Sequence, residues 1–238
     1  MKLDVLAFGA HPDDVEISAG GSMAAFAARG KKVGIVDLTR GELGTRGSAD
    51  LRDQESANAS KILGLSIREN LALADGFFQH TRENLEAIII ELRRFRPEIV
   101  LCNSITDRHP DHGKGSKLVA EACFLSGLKK IETSWNGESQ EAWRPKAVYH
   151  YIQDFHIEPD VVMDVSDYFD TKMDSIRAYQ SQFFDPNSSE ANTPISGEEF
   201  FDHLKGRALQ MGRPAGFLYG EGYTTERYIG VDSLFDLR

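Results

Sequence analysis

The chain predicts an α/β fold, a Rossmann-like and mostly parallel sheet with helices on both faces, and three observations carry that expectation. Short apolar runs alternate with helical periodicity through the first half, the order that strand–helix–strand units impose. The run "EIVLCNS" is continuously apolar at its centre, as in a strand buried on both faces. At 238 residues the chain has the length of one α/β domain covered on both sides, so a single domain over residues 1–238 is expected.

The elements follow in order. Residues 3–8 read as the first strand. Residues 16–29 read as a helix, with Met23, Phe26 and Ala27 at three-to-four spacing and Gly30 as its stop. "KVGIVDL", residues 32–38, is a second strand, and the glycine-punctuated loop "TRGELGTRG" follows it. A polar helix runs from about Asp50 to Gly64 with Arg52 and Glu55 near its start. The clearest helix is 82–95, where Leu85, Ile88, Ile89, Leu92 and Phe95 make one apolar stripe that Pro97 ends. Strand 98–104 and a helix over 115–127 come next. "KAVYHYI" and "VVMDV" read as later strands, and 167–184 as a polar helix. Residues 185–198, "DPNSSEANTPISGE", hold two prolines and many small polar residues and read as a surface loop or lid.

Composition excludes several function classes. The sequence is 41% hydrophobic and 27% charged, that of a globular protein. Its 27 basic and 37 acidic residues leave a net charge of −10, which repels polyphosphate, so no nucleic-acid partner is expected. Arg93, Arg94 and Arg96 close a helix and read as a solvated end favoured by its dipole. Cys102 and Cys123 form no CxxC pair and read as buried thiols in a reducing compartment. No stretch approaches 18 apolar residues and no apolar signal core opens the chain, which points to a cytoplasmic protein with no membrane partner.

The chemistry is concentrated in two charged knots. "FGAHPDDVE", residues 8–16, and "DRHPDH", residues 107–112, each leave a strand expected to be buried, and strand carboxyl ends share the rim of a parallel sheet where ligands bind. Either knot alone reads as a polar turn with an aspartate capping the next helix. Together they place too many ionisable groups in one cleft to stay unpaired, at several kcal/mol each, and a divalent cation offsets that cost. His11, Asp14 and His112 make the two-histidine, one-carboxylate set of a catalytic zinc site, although iron(II) and other first-row ions fit the same ligands. Asp13 falls beside the metal, placed to take a proton from a water that the metal acidifies. His109 and Asp111 suggest an imidazole oriented by a carboxylate, able to stabilise or protonate a developing charge. Nothing in these residues chooses an amide over an ester.

"AHPDD" after the first strand, "TRGELGTRG" with "LRDQE", and "RHPDHG" resemble the metal-dependent deacetylases named for PIG-L and LmbE. The likeness covers residues 4 to about 120 and returns at "YGEGY", 219–223. It implies a Rossmann-like fold, zinc, and removal of an acetyl group from an N-acetylglucosamine unit. It implies His11, Asp14 and His112 as zinc ligands, Asp13 as general base, His109 with Asp111 as the charge-stabilising pair, and Arg52 as a residue facing the sugar. Within the family, the length and the arginine of "RHPDHG" look most similar to the bacillithiol-pathway enzymes that deacetylate N-acetylglucosaminyl-malate. On that basis Arg108 is the candidate to pair with a malate carboxylate. The chain departs from that subgroup at Pro194, where relatives often carry a tyrosine. The missing hydroxyl's role then passes to another group, Tyr219 or Tyr223, or the substrate differs.

Rival readings remain at this point. A diacetylchitobiose, a glycosylinositol or an antibiotic intermediate fits the same site. A Rossmann protein holding a magnesium–phosphate is a rival of another class, opposed by the absence of GxGxxG before the first helix. A noncatalytic metal-binding module is a third. Homo-oligomers are common in the family, and the "FFDPN" and "GFLYGEGY" aromatics offer either contacts or core.

Overall fold

The computed structural model describes residues 1–183 and 189–237, arranged as a seven-stranded, mostly parallel sheet between helical layers. The chain runs β1 (Val5–Gly9), α1 (Asp14–Ala28), β2 (Val33–Asp37), α2 (Ala49–Leu63), β3 (Ile67–Asn70), α3 (Arg82–Phe95), β4 (Ile99–Cys102) and α4 (Pro110–Leu125). A small hairpin, β5 (Ser134–Trp135) with β6 (Glu138–Ser139), leads to β7 (Ala147–Tyr151) and β8 (Val161–Asp164). Then come α5 (Phe169–Arg177), α6 (Glu199–Ala215) and β9 (Gly220–Thr224).

The strand order β3-β2-β1-β4-β7-β9-β8 decides where the site lies. From β1 the chain winds outward to β2 and β3, then returns to place β4 on the other side of β1, with Val5 opposite Ile99 and Ala7 opposite Leu101. The order reverses between β1 and β4, and at such a switch point the two following loops diverge and leave a crevice. Those loops are the two charged knots.

Alternation along the strands distributes the core. Leu6 and Phe8 of β1 face α3 and α4, packing with Ile88, Leu92, Leu118 and Val119. Val5 and Ala7 face α1 and pack with Val15, Ala19 and Met23. A third cluster joins α5 to α6 through Ile176, Tyr179, Phe200 and Leu204.

Helix 82–95 occupies the residues its stripe predicts, with Thr81 as N-cap. The fourth helix starts five residues earlier than the expected 115, because Pro110 suits a first helical position and His109 caps it. His112 therefore stands in a first helical turn. The expected helix 167–184 is shorter, a 3₁₀ turn over Ser166–Tyr168 followed by α5. The sequence reading does not anticipate β3, the β5–β6 hairpin, α6 or β9, which carries "GEGYT" antiparallel between β7 and β8. Of the expected loop 185–198, residues 185–188 lie outside the described residues, as does most of "FFDPN"; the described remainder forms no helix or strand before α6. Among the described residues, no helix is long and apolar enough to cross a membrane.

Candidate active site

The crevice at the switch point is an open pocket of about 330 Å³ that takes in residues from both knots, including His11, Asp13, Asp14, His109 and His112. Asp14 sits at its floor as the first residue of α1, and every contact it makes holds it still. Its Oδ2 accepts from the His11 backbone N–H (2.9 Å) and from the Asn103 side-chain amide (3.0 Å), while Gln153 Nε2 donates to Oδ1 (3.2 Å). Asn103 in turn accepts from the Ala10 N–H (2.9 Å) and donates to Gln153 (3.0 Å), so the ends of β1, β4 and β7 are tied behind one carboxylate.

The two imidazoles of the expected metal set face Asp14. His112 Nε2 lies 3.0 Å from Asp14 Oδ1, and His11 Nδ1 lies 3.6 Å from Oδ2. The opposite nitrogen of each ring is held by another carboxylate: His112 Nδ1 by Asp107 at 2.5 Å and His11 Nε2 by Asp75 at 3.0 Å. An outer carboxylate that takes the N–H leaves the inner nitrogen as a lone-pair donor, the arrangement that prepares histidines for a metal. Burial works to lower the pKa of both imidazoles, and the surrounding carboxylates outweigh it: His112 rises to about 9 and His11 well above its ordinary value. Asp14 falls well below the usual carboxylate range, because its imidazole neighbours overcome its burial. A proton on each ring or a divalent cation at the centre relieves the same facing lone pairs. The donors present therefore fit a divalent ion of the zinc type.

Asp13 is the N-cap of α1, with φ of 121°, a backbone conformation side chains rarely adopt. Its carboxylate is buried, and burial pushes its pKa up to about 7 against the pull of Arg52, whose Nη1 stands 3.9 Å away. Arg52 reaches this point from α2 because the loop after β2 leaves it room: a Cβ at Gly41 would fall 2.5 Å from Arg52 Nη1. That is the physical content of the glycines in "TRGELG".

His109 lies beside both metal-facing histidines, its ring centroid 4.6 Å from that of His11 and 5.1 Å from that of His112. Its Nδ1 accepts from the Asp111 backbone N–H (3.3 Å), and burial with two nearby imidazoles lowers its pKa. With Nδ1 accepting, Nε2 is the nitrogen left to carry a proton.

The expected pairing of His109 with the Asp111 carboxylate is corrected by the structure. Side chains two apart at a helix start point to different faces, and the Asp111 carboxylate accepts from the Gly76 N–H (2.7 Å) and Lys114 (3.0 Å), 3.6 Å from His11 Nε2. Arg108 lines the same pocket, as expected of a rim residue. It stands at the half-exposed rim and pairs with Asp154 at 3.0 Å. Neither tyrosine proposed to stand in for the Pro194 position reaches the pocket. Tyr223 donates to Ser22 Oγ in the core (2.6 Å), and Tyr219 stacks on Phe169 with centroids 4.0 Å apart.

Sequence reasoning missed Asp75, Asp107, Asn103 and Gln153. Asp107 had a signal, since it opens the second knot five residues before a candidate histidine ligand. The others come from separate loops and have none.

The description PIG-L: GlcNAc-PI de-N-acetylase belongs to the family profile that matches residues 6–123. A diacetylchitobiose deacetylase of Thermococcus kodakarensis is 29% identical over 229 residues, covering 92% of this chain and 81% of that protein. A probable N-acetyl-alpha-D-glucosaminyl L-malate deacetylase 2 of Bacillus subtilis is 27% identical over 203 residues, 76% of this chain and 84% of that one. The solved structure of the conserved protein TT1542 from Thermus thermophilus has a TM-score of 0.85 at 33% identity, covering 97% of this chain and 98% of that one.

Proposed function

Because the chain belongs to the PIG-L/LmbE deacetylase family, we propose that it is a metal-dependent amidohydrolase that removes the acetyl group from a small N-acetylglucosamine conjugate. The metal is a divalent first-row ion, zinc first, held by His11, Asp14 and His112. One observation carries this reading: both histidines turn a carboxylate-oriented ring so that its free nitrogen meets the same Asp14 carboxylate. Bound there, such an ion supplies Lewis acidity, acidifying water and polarising a carbonyl.

The chain's own residues supply the rest. Asp13 accepts the proton of the attacking water and returns a proton to the departing amine as the amide C–N bond breaks, releasing acetate and a glucosamine. Arg52, 3.9 Å from it, keeps the carboxylate oriented and meets the sugar. His109, held by its Nδ1, presents its Nε2 proton to the oxyanion of the tetrahedral intermediate. Asp111 acts at one remove, fixing the loop at Gly76 beside His11.

The aglycone has two candidates. Malate conjugates were the sequence expectation, and the Bacillus subtilis relative supports them. Diacetylchitobiose is the second, favoured by the Thermococcus relative and by the engagement of Arg108 with Asp154. The test is metal analysis of the purified protein followed by acetate release over a panel of N-acetylglucosamine conjugates. Zinc-loaded protein should release acetate, and Asp13→Ala should bind the metal yet lose activity by roughly three orders of magnitude or more. Full activity in that variant, or no acetate from any conjugate, defeats the proposal.

A further inference from the structure

Arg207 lies in the middle of α6, on the face that also carries Phe200, Leu204, Ala208 and Met211. An arginine seven residues after Phe200 points the same way as that apolar stripe, toward the protein rather than the solvent. It lines the active-site pocket, where one guanidinium nitrogen donates to the backbone carbonyl of Gln153 and another to that of Ile17 (3.2 Å). These two bonds pin it between the first turn of α1 and the end of β7, beside the Gln153 that holds Asp14.

What it lacks is a counter-charge. Among the described residues, no carboxylate oxygen lies within 4.0 Å of its nitrogens. The acids whose field reaches it are Asp154, Glu221 and Asp107. Each is already engaged, Asp154 with Arg108 at 3.0 Å, Glu221 with Lys172 at 2.6 Å and Asp107 with His112 at 2.5 Å. The other two arginines at the mechanism's pocket differ, since Arg52 has Asp13 nearby and Arg108 has Asp154. A guanidinium has five donors, and two are used here. The guanidinium is partly buried, so leaving it without a paired anion is unfavourable, and that partial loss of water pushes its pKa down. A structural clamp needs only the two carbonyl bonds and could be neutral.

The geometry points to Arg207 as a specificity-determining residue that receives an anionic group of the substrate, a carboxylate or a phosphate on the aglycone. The inference rests on the de-N-acetylation reading for the identity of the substrate and deepens it by choosing a charged aglycone over a neutral sugar. It also moves the carboxylate contact from rim Arg108, where sequence placed it, to a wall fixed by α6. A planar, bidentate donor suits either anion.

The experiment compares wild type, Arg207→Gln and Arg207→Lys on three N-acetylglucosaminides: one whose aglycone carries a carboxylate, its neutral methyl ester, and a phosphate analogue. Calorimetric titration gives Kd, acetate release gives kcat and KM, and thermal melts confirm that each variant is folded. Wild type should favour one or both anionic conjugates over the ester by roughly 10- to 100-fold in Kd and KM, the scale of one charge-assisted pair. Arg207→Gln should abolish that preference with little change toward the ester, and Arg207→Lys should keep part of it. Which anion gains more identifies the group. Equal losses on all three conjugates mean a structural clamp and overturn the inference, as does a wild type without preference in either readout. If wild type releases no acetate, the deacetylase reading fails separately, and the Kd ratios still decide whether Arg207 binds an anion.

Discussion

Replacing Arg68 with methionine should destabilise the protein by about 3–5 kcal/mol at pH 8, the cost of leaving buried carboxylates without their cation. Arg68 enters from β3 and makes two bonds to Asp37, at 2.7 and 2.9 Å, and a third to Glu16 at 2.5 Å. Asp37 and Glu16 are almost completely buried. Tyr179 also donates to Glu16 at 2.8 Å, so the network joins β2, β3, α1 and the chain after α5 directly behind the knot that carries Asp13 and Asp14. Methionine keeps most of the stem volume, which confines the loss to the charge. For a chain of this length the penalty corresponds to a melting temperature roughly 6–20 °C lower.

The pH dependence has a definite sign. Burial raises the folded pKa of Asp37 from 3.8 to about 6 even with Arg68 opposing it. Between about pH 4 and 6 the folded state therefore binds more protons than the unfolded one, and stability from this group falls as pH rises, by about 3 kcal/mol for a shift of about two units. Without Arg68 the folded pKa climbs further and the loss continues toward neutrality. The deficit of the variant should be small near pH 4 and largest above pH 7. Circular-dichroism melts of both proteins from pH 4 to 8, in chelator so that metal binding does not enter, measure it. A deficit under about 2 °C at pH 8, or one that does not change with pH, would show that the guanidinium is not neutralising these carboxylates.

Two further outcomes check the site. Asp107→Ala should weaken zinc affinity by roughly 10- to 100-fold in competition with a chromophoric chelator, because His112 loses the carboxylate that orients its ring; unchanged affinity removes that role. Tyr223→Phe should cost about 0.5–1.5 kcal/mol of stability, the net worth of one hydrogen bond, and alter kcat less than about threefold. A loss of kcat by tenfold or more would return Tyr223 to the chemistry from which its core position excludes it.

Periodicity made the first half of the fold legible. The stripe from Leu85 to Phe95 and the apolar core of "IVLC" bury complete faces, so burial and pattern coincide. In the later half β7, β8 and α5 were legible in the same way, and two elements were not, for the opposite reason. β9 is "GEGYT", with two glycines and a buried glutamate whose carboxylate is satisfied by Lys172, Ser22 and backbone N–H groups far away in sequence, so no local pattern marks it as a strand. α6 lies against β9 and β8 and shares an apolar cluster with α5, but the small polar stretch before it and an arginine within the stripe obscured it.

By itself the sequence determined which atoms are available for chemistry. His11, Asp13, Asp14, His109 and His112 stand in two knots after two buried strands, because side-chain type and strand exit are local properties of the chain. Only the tertiary structure decided which of them meet and who holds them. The switch between β1 and β4 brings knots nearly a hundred residues apart against one carboxylate, Asp75 and Asp107 turn the rings, and the Asp111 carboxylate finds partners other than the one expected. Pairing of charges depends on distances of a few ångströms between separate segments, and spacing along the chain carries no information about those.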